Sequence, residues 1–359
     1  MQEKISEKTF AGQSIYVGID VHRKSWKVSV LTETLPYKTF SAPPESSKLD
    51  AFLRNHFPGA TFYSVYEAGF SGFWLHRELT RMGIKSMVVN PADIPTTDKE
   101  RKQKEDIRDS RKLAQTLRAG QLKGIYIPSE KTQQDRLLLR VREAMVRDLT
   151  RIKNRIKALL YFQGIVYPSQ FACNGSHWSN AFMQWLESLP FDHKSGKSAL
   201  GIYLESVKHK RSLLLRITRQ IRDLGQSAEY GENVALLTSV PGIGVLTAMT
   251  LLLELEDITR FKNFANLSSF VGLVPSTHSS GDHEINNGIT PRKNSRLRAA
   301  LVESAWVAVR NDPALLATYN RLSGRMPGNQ AIIRIAKKLL RRIVSVLRKK
   351  EKYEKGVIK

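Results

Sequence analysis

The order of short apolar runs in the first third of the chain constrains its fold more than any other feature. Ile15-Tyr16-Val17-Gly18-Ile19 is an apolar run of strand length. Trp26-Lys27-Val28-Ser29-Val30-Leu31 alternates apolar with polar residues, as a strand with one wet face does. Tyr37–Phe40 fits a short third strand, and Ser46–His56 carries a helical pattern. Thr61–Tyr66 is the next strand, Ser71–Met82 the next helix, and Ile84–Asn90 a fifth strand stopped by Pro91. Three strands in a meander, followed by alternating helices and strands, predict an α/β domain over residues 14–125.

Four carboxylates sit where such a domain can use them. Asp20 ends the first strand and Glu67 ends the Thr61–Tyr66 strand. Asp106 and Asp109 are three apart at the start of a helical pattern, so they share a face. Acidic groups converging from two strand ends and a helix can hold two divalent cations roughly 4 Å apart, clamping a phosphodiester for in-line attack. Hard carboxylate oxygens select Mg²⁺ or Mn²⁺ over zinc. Without metal, four facing carboxylates repel one another. The strand order is that of the ribonuclease-H-like fold, but a fold does not carry a function by itself.

The charge balance names the class of partner. The 359 residues include 57 Lys+Arg against 33 Asp+Glu, a formal charge of +24. That excess calls for a polyanion, nucleic acid before an anionic membrane surface. The single cysteine, Cys173, excludes an intramolecular disulfide framework and a cysteine-built zinc site. Met1–Lys8 has no apolar run of the kind a secretory signal needs, and no stretch approaches the roughly 20 apolar residues of a membrane span. The expectation is a cytoplasmic protein acting on DNA or RNA, with no membrane partner.

Beyond residue 93 the chain becomes polar, and the lysines of 93–105 are placed to meet phosphates. A long helix is predicted from about Thr132 to Phe162, with Leu138, Leu139, Val141, Met145, Leu149, Ile152, Ile156 and Leu159 three or four apart. Its length implies a coiled-coil arm or a dimer contact, unless it packs on its own domain. Residues 163–200 lack strong periodicity and read as an irregular insertion. A second basic amphipathic helix over Leu200–Leu224 would run antiparallel to the first, making a helical stalk. The expected divisions are 1–126, 127–230 and 231–359.

The C-terminal part is mainly helical. Leu236–Ala248, with Val240-Pro241-Gly242-Ile243-Gly244 at its centre, has the pattern of a helix-hairpin-helix. Its glycine amides would either accept a phosphate or simply make a tight turn. Ser279-Ser280-Gly281 reads as an exposed loop, and residue chemistry alone makes such serines turn formers. His278 and His283 flank it, as proton carriers or as solvated loop residues. Two helices follow, Asn294–Val302 and Ala331–Lys350. The second has Ile332, Ile335, Leu339, Ile343 and Leu347 on one side and Arg334, Lys337, Lys338, Arg341, Arg342 and Arg348 over much of the rest. This is a face for phosphate backbone more than for base edges. The modest aromatic content offers no clear stacking platform for RNA.

Taken in order, these residues resemble the DEDD-type insertion-sequence transposases, relatives of the Piv DNA invertase that include bridge-RNA-guided recombinases. The markers are Tyr16–Asp20, Tyr66-Glu67-Ala68, Asn90-Pro91 and Lys104–Ala114. C-terminally they are Val240–Gly244, Phe261 to Gly272, Leu273-Val274-Pro275, Ser280-Gly281 and Arg296-Leu297-Arg298. The resemblance implies a RuvC-like N-terminal domain whose Asp20, Glu67, Asp106 and Asp109 bind Mg²⁺ or Mn²⁺. It implies that Ser280, or Ser279 beside it, attacks a DNA phosphate and forms a covalent phosphoserine link. It also implies double-stranded donor and target DNA, a structured guide RNA (the bridge RNA), and a dimer or tetramer that completes a composite site. One departure is plain: relatives carry Lys-x-Gly-Asn after the loop beyond the serine, where this chain has Pro291-Arg292-Lys293-Asn294. Two rival readings remain. A metal-dependent DNA nuclease or Holliday-junction resolvase would need no serine, and a basic scaffold would need no working site at all.

Overall fold

In the computed structural model, residues 9–95, 106–280 and 283–356 are described; residues 106, 107, 174, 276–280 and 283–287 are described by backbone alone. The chain divides into two compact units, Met1–Ile127 and Pro128–Lys359.

The first unit is mixed α/β. Strands β1 (Ser14–Val21), β2 (Trp26–Leu31), β3 (Pro36–Ala42), β4 (Thr61–Glu67) and β5 (Lys85–Val89) form one sheet in the order β3-β2-β1-β4-β5. The β1–β2 and β2–β3 pairs are antiparallel, and β4 lies parallel to both β1 and β5. Period-2 alternation sorts the side chains onto two faces. Ile15, Val17, Ile19, Trp26, Val28, Phe62 and Tyr66 are fully or almost fully buried against Leu49 and Leu53 of α1 (Ser46–His56) and Leu75 and Leu79 of α2 (Trp74–Arg81). Each such aliphatic or aromatic side chain contributes about 1.5–3 kcal/mol of burial. The opposite face receives α3 (Asp106–Arg118), through Val65, Val89 and Leu113.

The second unit is helical apart from one ribbon. The long helix α4 (Glu130–Phe162) starts at Ser129, whose hydroxyl accepts from the Thr132 amide at 3.1 Å. It packs against α6 (Lys194–Gly225) in antiparallel fashion. Leu139 near the start of α4 meets the core that holds Ile217 and Ile221, while Leu149, Ile152, Ile156 and Leu160 meet Leu200, Leu204 and Val207. Residues 163–200 are more ordered than their lack of periodicity predicts. Ser179 caps a helix α5 (Asn180–Ser188), and α6 already begins at Lys194. Phe171, Phe182, Met183 and Leu186 fill a small core there. Short aromatic-rich segments wrapped on a helix pair need no period of their own.

The remaining helices are α7 (Gly231–Thr238), α8 (Val245–Leu255), α9 (Phe264–Val271), α10 (Ser295–Asn311), α11 (Pro313–Ser323) and α12 (Gly328–Lys349). They share one core with the near ends of α4 and α6. Residues 128–359 therefore lie in a single unit. Between α7 and α8, Gly242 has φ +84°, and a Cβ there would run into the Ser304 carbonyl of α10. This turn is packed tightly on a neighbouring helix. Among the described residues, no helix is long and apolar enough to cross a membrane.

Candidate active site

The geometry of the first unit follows from one close approach. A Cβ on Gly18 would collide with the Ser110 carbonyl oxygen and come within 2.5 Å of the Ala114 nitrogen. Only glycine lets α3 lie this close to β1. Ser110 also bonds the Ser29 hydroxyl at 2.9 Å, and Ser29 bonds Thr39 at 2.9 Å, so a buried hydroxyl chain seats the helix on β1, β2 and β3. Eight residues on, Arg118 donates to the Thr32 carbonyl at 3.3 Å. Thr32 follows the end of β2, which adjoins the beginning of β1. Helix α3 thus runs against the direction of β1, and its first turn lies toward the end of β1 that carries Asp20.

Glu67 lies at that same end. The parallel register pairs Gly18 with Val65 and ends at Ile19 with Tyr66, and Asp20 and Glu67 are the residues that follow this last pair on the two strands. Both carboxylates alternate onto the face of Gly18 and Val65, the one that α3 covers. Asp109 immediately precedes Ser110 and is partly exposed, Asp20 is partly exposed, and Glu67 is exposed. Asp106 opens α3; its side chain lies outside the described residues. Among the described residues, no three His, Cys, Asp or Glu side chains gather closely enough to hold an ion. Carboxylate oxygens are hard donors, the type that Mg²⁺ or Mn²⁺ takes in preference to sulfur.

Two neighbours escaped the sequence reading. His22 Nε2 donates to Asp20 Oδ2 at 2.9 Å, and Lys27 stands opposite Asp20 in the β1–β2 register, its ammonium on Ser41 at 2.7 Å. The i, i+2 spacing of Asp20 and His22 was visible, but its significance was not. Behind Glu67, the Tyr66 phenol donates to the Gly72 carbonyl at 3.0 Å and holds the turn that follows the carboxylate. Burial pushes that phenol up to about 12.

The serine candidates lie in the second unit. Ser279 and Ser280 are not in a loop but end strand β6 (Pro275–Ser280), which pairs with β7 (His283–Ile289). Ser280 opposes His283 and Ser279 opposes Glu284, so both serines stand at the tip of a two-stranded ribbon. His278 opposes Ile285. Gly281, Asp282 and residues 96–105, including the phosphate-facing lysines expected there, lie outside the described residues. The ribbon is built from its root. Thr290 donates to the Val274 carbonyl at 3.1 Å, Arg298 donates to the Thr290 carbonyl at 2.5 Å, and Asn294 donates to the Phe270 carbonyl at 2.9 Å. Asn294 also caps α10 and donates to the buried Glu254 at 2.9 Å. Arg140 of α4 meets Glu254 at 2.5 Å, and Arg296 grips Glu143 at 2.7 and 2.9 Å.

Comparison with known proteins matches both parts. Residues 17–163 match a family model of DEDD transposases of the IS110 type, and residues 234–320 match the Transposase IS116/IS110/IS902 family. The chain is 31% identical over 244 residues to the Sinorhizobium fredii protein y4qE, which carries a transposase description; that alignment covers 68% of this chain and 58% of that protein. It is 26% identical over 301 residues to the transposase of insertion sequence element IS1533 from Leptospira borgpetersenii, covering 82% and 85%. It is 28% identical over 175 residues to the pilin gene-inverting protein of Moraxella bovis, covering 46% and 54%. With its α/β part and its helical part matched in order, this chain belongs to the IS110/IS116 family of DEDD transposases.

Proposed function

We propose that this protein cuts and rejoins DNA at the ends of an insertion sequence through a covalent serine link. Asp20, Glu67, Asp106 and Asp109 would hold Mg²⁺ or Mn²⁺, and Ser280 is the nucleophile, with Ser279 as its alternate. The observation that carries this reading is the placement of Asp20 and Glu67, one register step beyond Ile19–Tyr66, on the sheet face where α3 begins. A cation pair held there supplies charge stabilisation to a phosphodiester under attack. The serine Oγ forms a bond to phosphorus while one backbone P–O ester bond breaks. The hydroxyl proton leaves to solvent, and the displaced sugar oxygen takes one up. Attack by the hydroxyl of a second strand reverses these steps and frees the serine, so strands are exchanged without an external energy source.

The four carboxylates belong to the first unit and the serine to the second, and the proposed reaction needs both. Exposed Leu137, Val141 and Val146 on α4 and Leu215 on α6 support a dimer or tetramer built through the helical pair, the role expected of a stalk. Guidance by a structured bridge RNA is part of the same proposal, supported by the +24 charge and by family membership. The glycine turn at Gly242–Gly244 is a candidate phosphate contact of helix-hairpin-helix type.

The test is a trapping assay with the full-length protein, co-expressed RNA, Mg²⁺ and labelled donor-junction DNA, resolved under denaturing conditions. A protein–DNA adduct lost in Ser280→Ala and in Asp20→Ala is the expected result. Cleavage without an adduct, unchanged in Ser280→Ala, would instead establish a metal-dependent nuclease or junction resolvase.

A further inference from the structure

A cavity of about 790 Å³ opens where the serine ribbon joins the body of its unit. One wall is the ribbon root, Leu273, Val274, Pro275, Gly288 and Ile289. The other is one face of α12, where Gln330, Ile333, Arg334 and Lys337 recur at helical spacing, with Asn329 beside them. The floor is apolar, and among the described residues its lining offers no carboxylate. Two cations and two side-chain amides stand on the helix wall. Asn329, Gln330 and Arg334 are exposed, so none is committed to the core.

That chemistry is specific. An apolar slot between aliphatic side chains accepts the flat face of a base taken out of its stack. Primary amides beside it can pair with a base edge, and amide pairing favours adenine. Arg334 and Lys337, one turn apart along the same face, suit the phosphates flanking that base. A duplex presents no single base to a concave site of this size, which lies within the ordinary range for ligand pockets. The position matters as much as the lining. Pro275 begins β6 and Ser280 ends it, so the cavity lies about 17 Å or less from the candidate nucleophile along one strand.

We propose that this cavity holds an unpaired nucleotide of the DNA strand presented to Ser280, an adenine by preference. The inference rests on the serine reading for the identity of the strand, but its test does not use serine chemistry. Full-length protein is titrated with fluorescein-labelled 12-nucleotide single-stranded DNA, carrying either one central adenine or a pyrimidine there, over a range of salt. Adenine should bind at least about fivefold more tightly. Asn329→Ala/Gln330→Ala should level that preference and leave the salt dependence unchanged. Arg334→Ala/Lys337→Ala should weaken both oligonucleotides alike and make the slope of log K against log salt shallower by about 1.4, at about 0.7 per lost contact. The titration reads binding alone, with no cleavage or adduct step, so its outcome is independent of that of adduct trapping. Because the substituted residues are mostly exposed, unchanged thermal unfolding confirms that the variants are folded. Variants that match the unaltered protein in preference and slope overturn the proposal. So does an RNA oligonucleotide of the same sequence that displaces the DNA at one tenth of its concentration, which would make the occupant RNA.

Discussion

The five-stranded sheet is covered on both faces, by α1 and α2 on one side and α3 on the other. The β6–β7 ribbon has two strands, and its described attachments lie at its root, through Thr290, Asn294 and Arg298. The difference matches what each must do in the proposed reaction. Cation ligands tolerate little displacement, so they belong on a packed sheet. A nucleophile that must reach a phosphate and later release it is suited to a ribbon held at one end. An isolated two-stranded hairpin is marginally stable in water, so its geometry depends on that root.

The largest expected effect lies on the sheet side. Asp20→Asn keeps the shape of the side chain and removes its charge. DNA cleavage should fall about 10²–10³-fold, several kcal/mol of lost charge stabilisation, while the urea midpoint stays within experimental error. A midpoint that falls together with activity would mean that Asp20 supports the fold instead. Gly18→Val should be next. Its side chain meets the Ser110 carbonyl, so α3 must lift, at a cost of about 3 kcal/mol in urea unfolding. A variant as stable as the parent would show that α3 is not seated on β1 as described.

On the ribbon side, Asn294→Ala removes the cap of α10 and a donor to buried Glu254. Stability should drop by about 1–2 kcal/mol, and adduct formation should drop further than that loss accounts for. Equal losses would argue that the root does not position the ribbon. The smallest effect is a pH dependence that sets the two units side by side. Tyr66 in the first unit and Tyr353 in the second are both raised to about 12, chiefly by burial. Below pH 10 both folded and unfolded chains keep these protons, and the stability is fully present. Between pH 10 and 12 only the unfolded chain gives them up, so stability declines there. Tyr353→Phe should remove part of the decline and Tyr66→Phe the other part, read from urea midpoints across that range. Near Tyr353, Asp312 is fully buried; burial pulls its carboxyl up. The Tyr353 hydroxyl at 2.5 Å, the Leu315 amide and Arg342 at 2.9 Å together hold it below the usual carboxylate range.

Much of the first unit was legible because its strands carry strong one-dimensional signals. Ile15–Ile19 and Trp26–Leu31 alternate or run apolar with β-branched residues, and all five strands fall within a residue or two of their predicted places. The ribbon was not legible. Pro275–Ser280 and His283–Ile289 are rich in Ser, Asn and His, so hydrogen bonding across the pair, not side-chain pattern, makes them strands. Helix α5 was hidden for a similar reason: nine residues give too few turns for a period to show. The placement of Asp20 and Glu67 at one sheet end could be read from strand ends. The depth of α3 against Gly18 could not, because it depends on how two elements meet, and the Asp20–His22 bond could not, because the i, i+2 spacing alone does not say that the ring turns back onto the carboxylate.

The in-register pairing of β1 with β4 has a consequence for how such genes can change. Asp20 and Glu67 share a face because each is an even number of residues from its partner positions Gly18 and Val65. Losing or gaining one codon within either strand shifts the alternation and turns that carboxylate toward the opposite, apolar face. Register therefore constrains the length of β1 and β4 more tightly than that of the turns joining the elements between them.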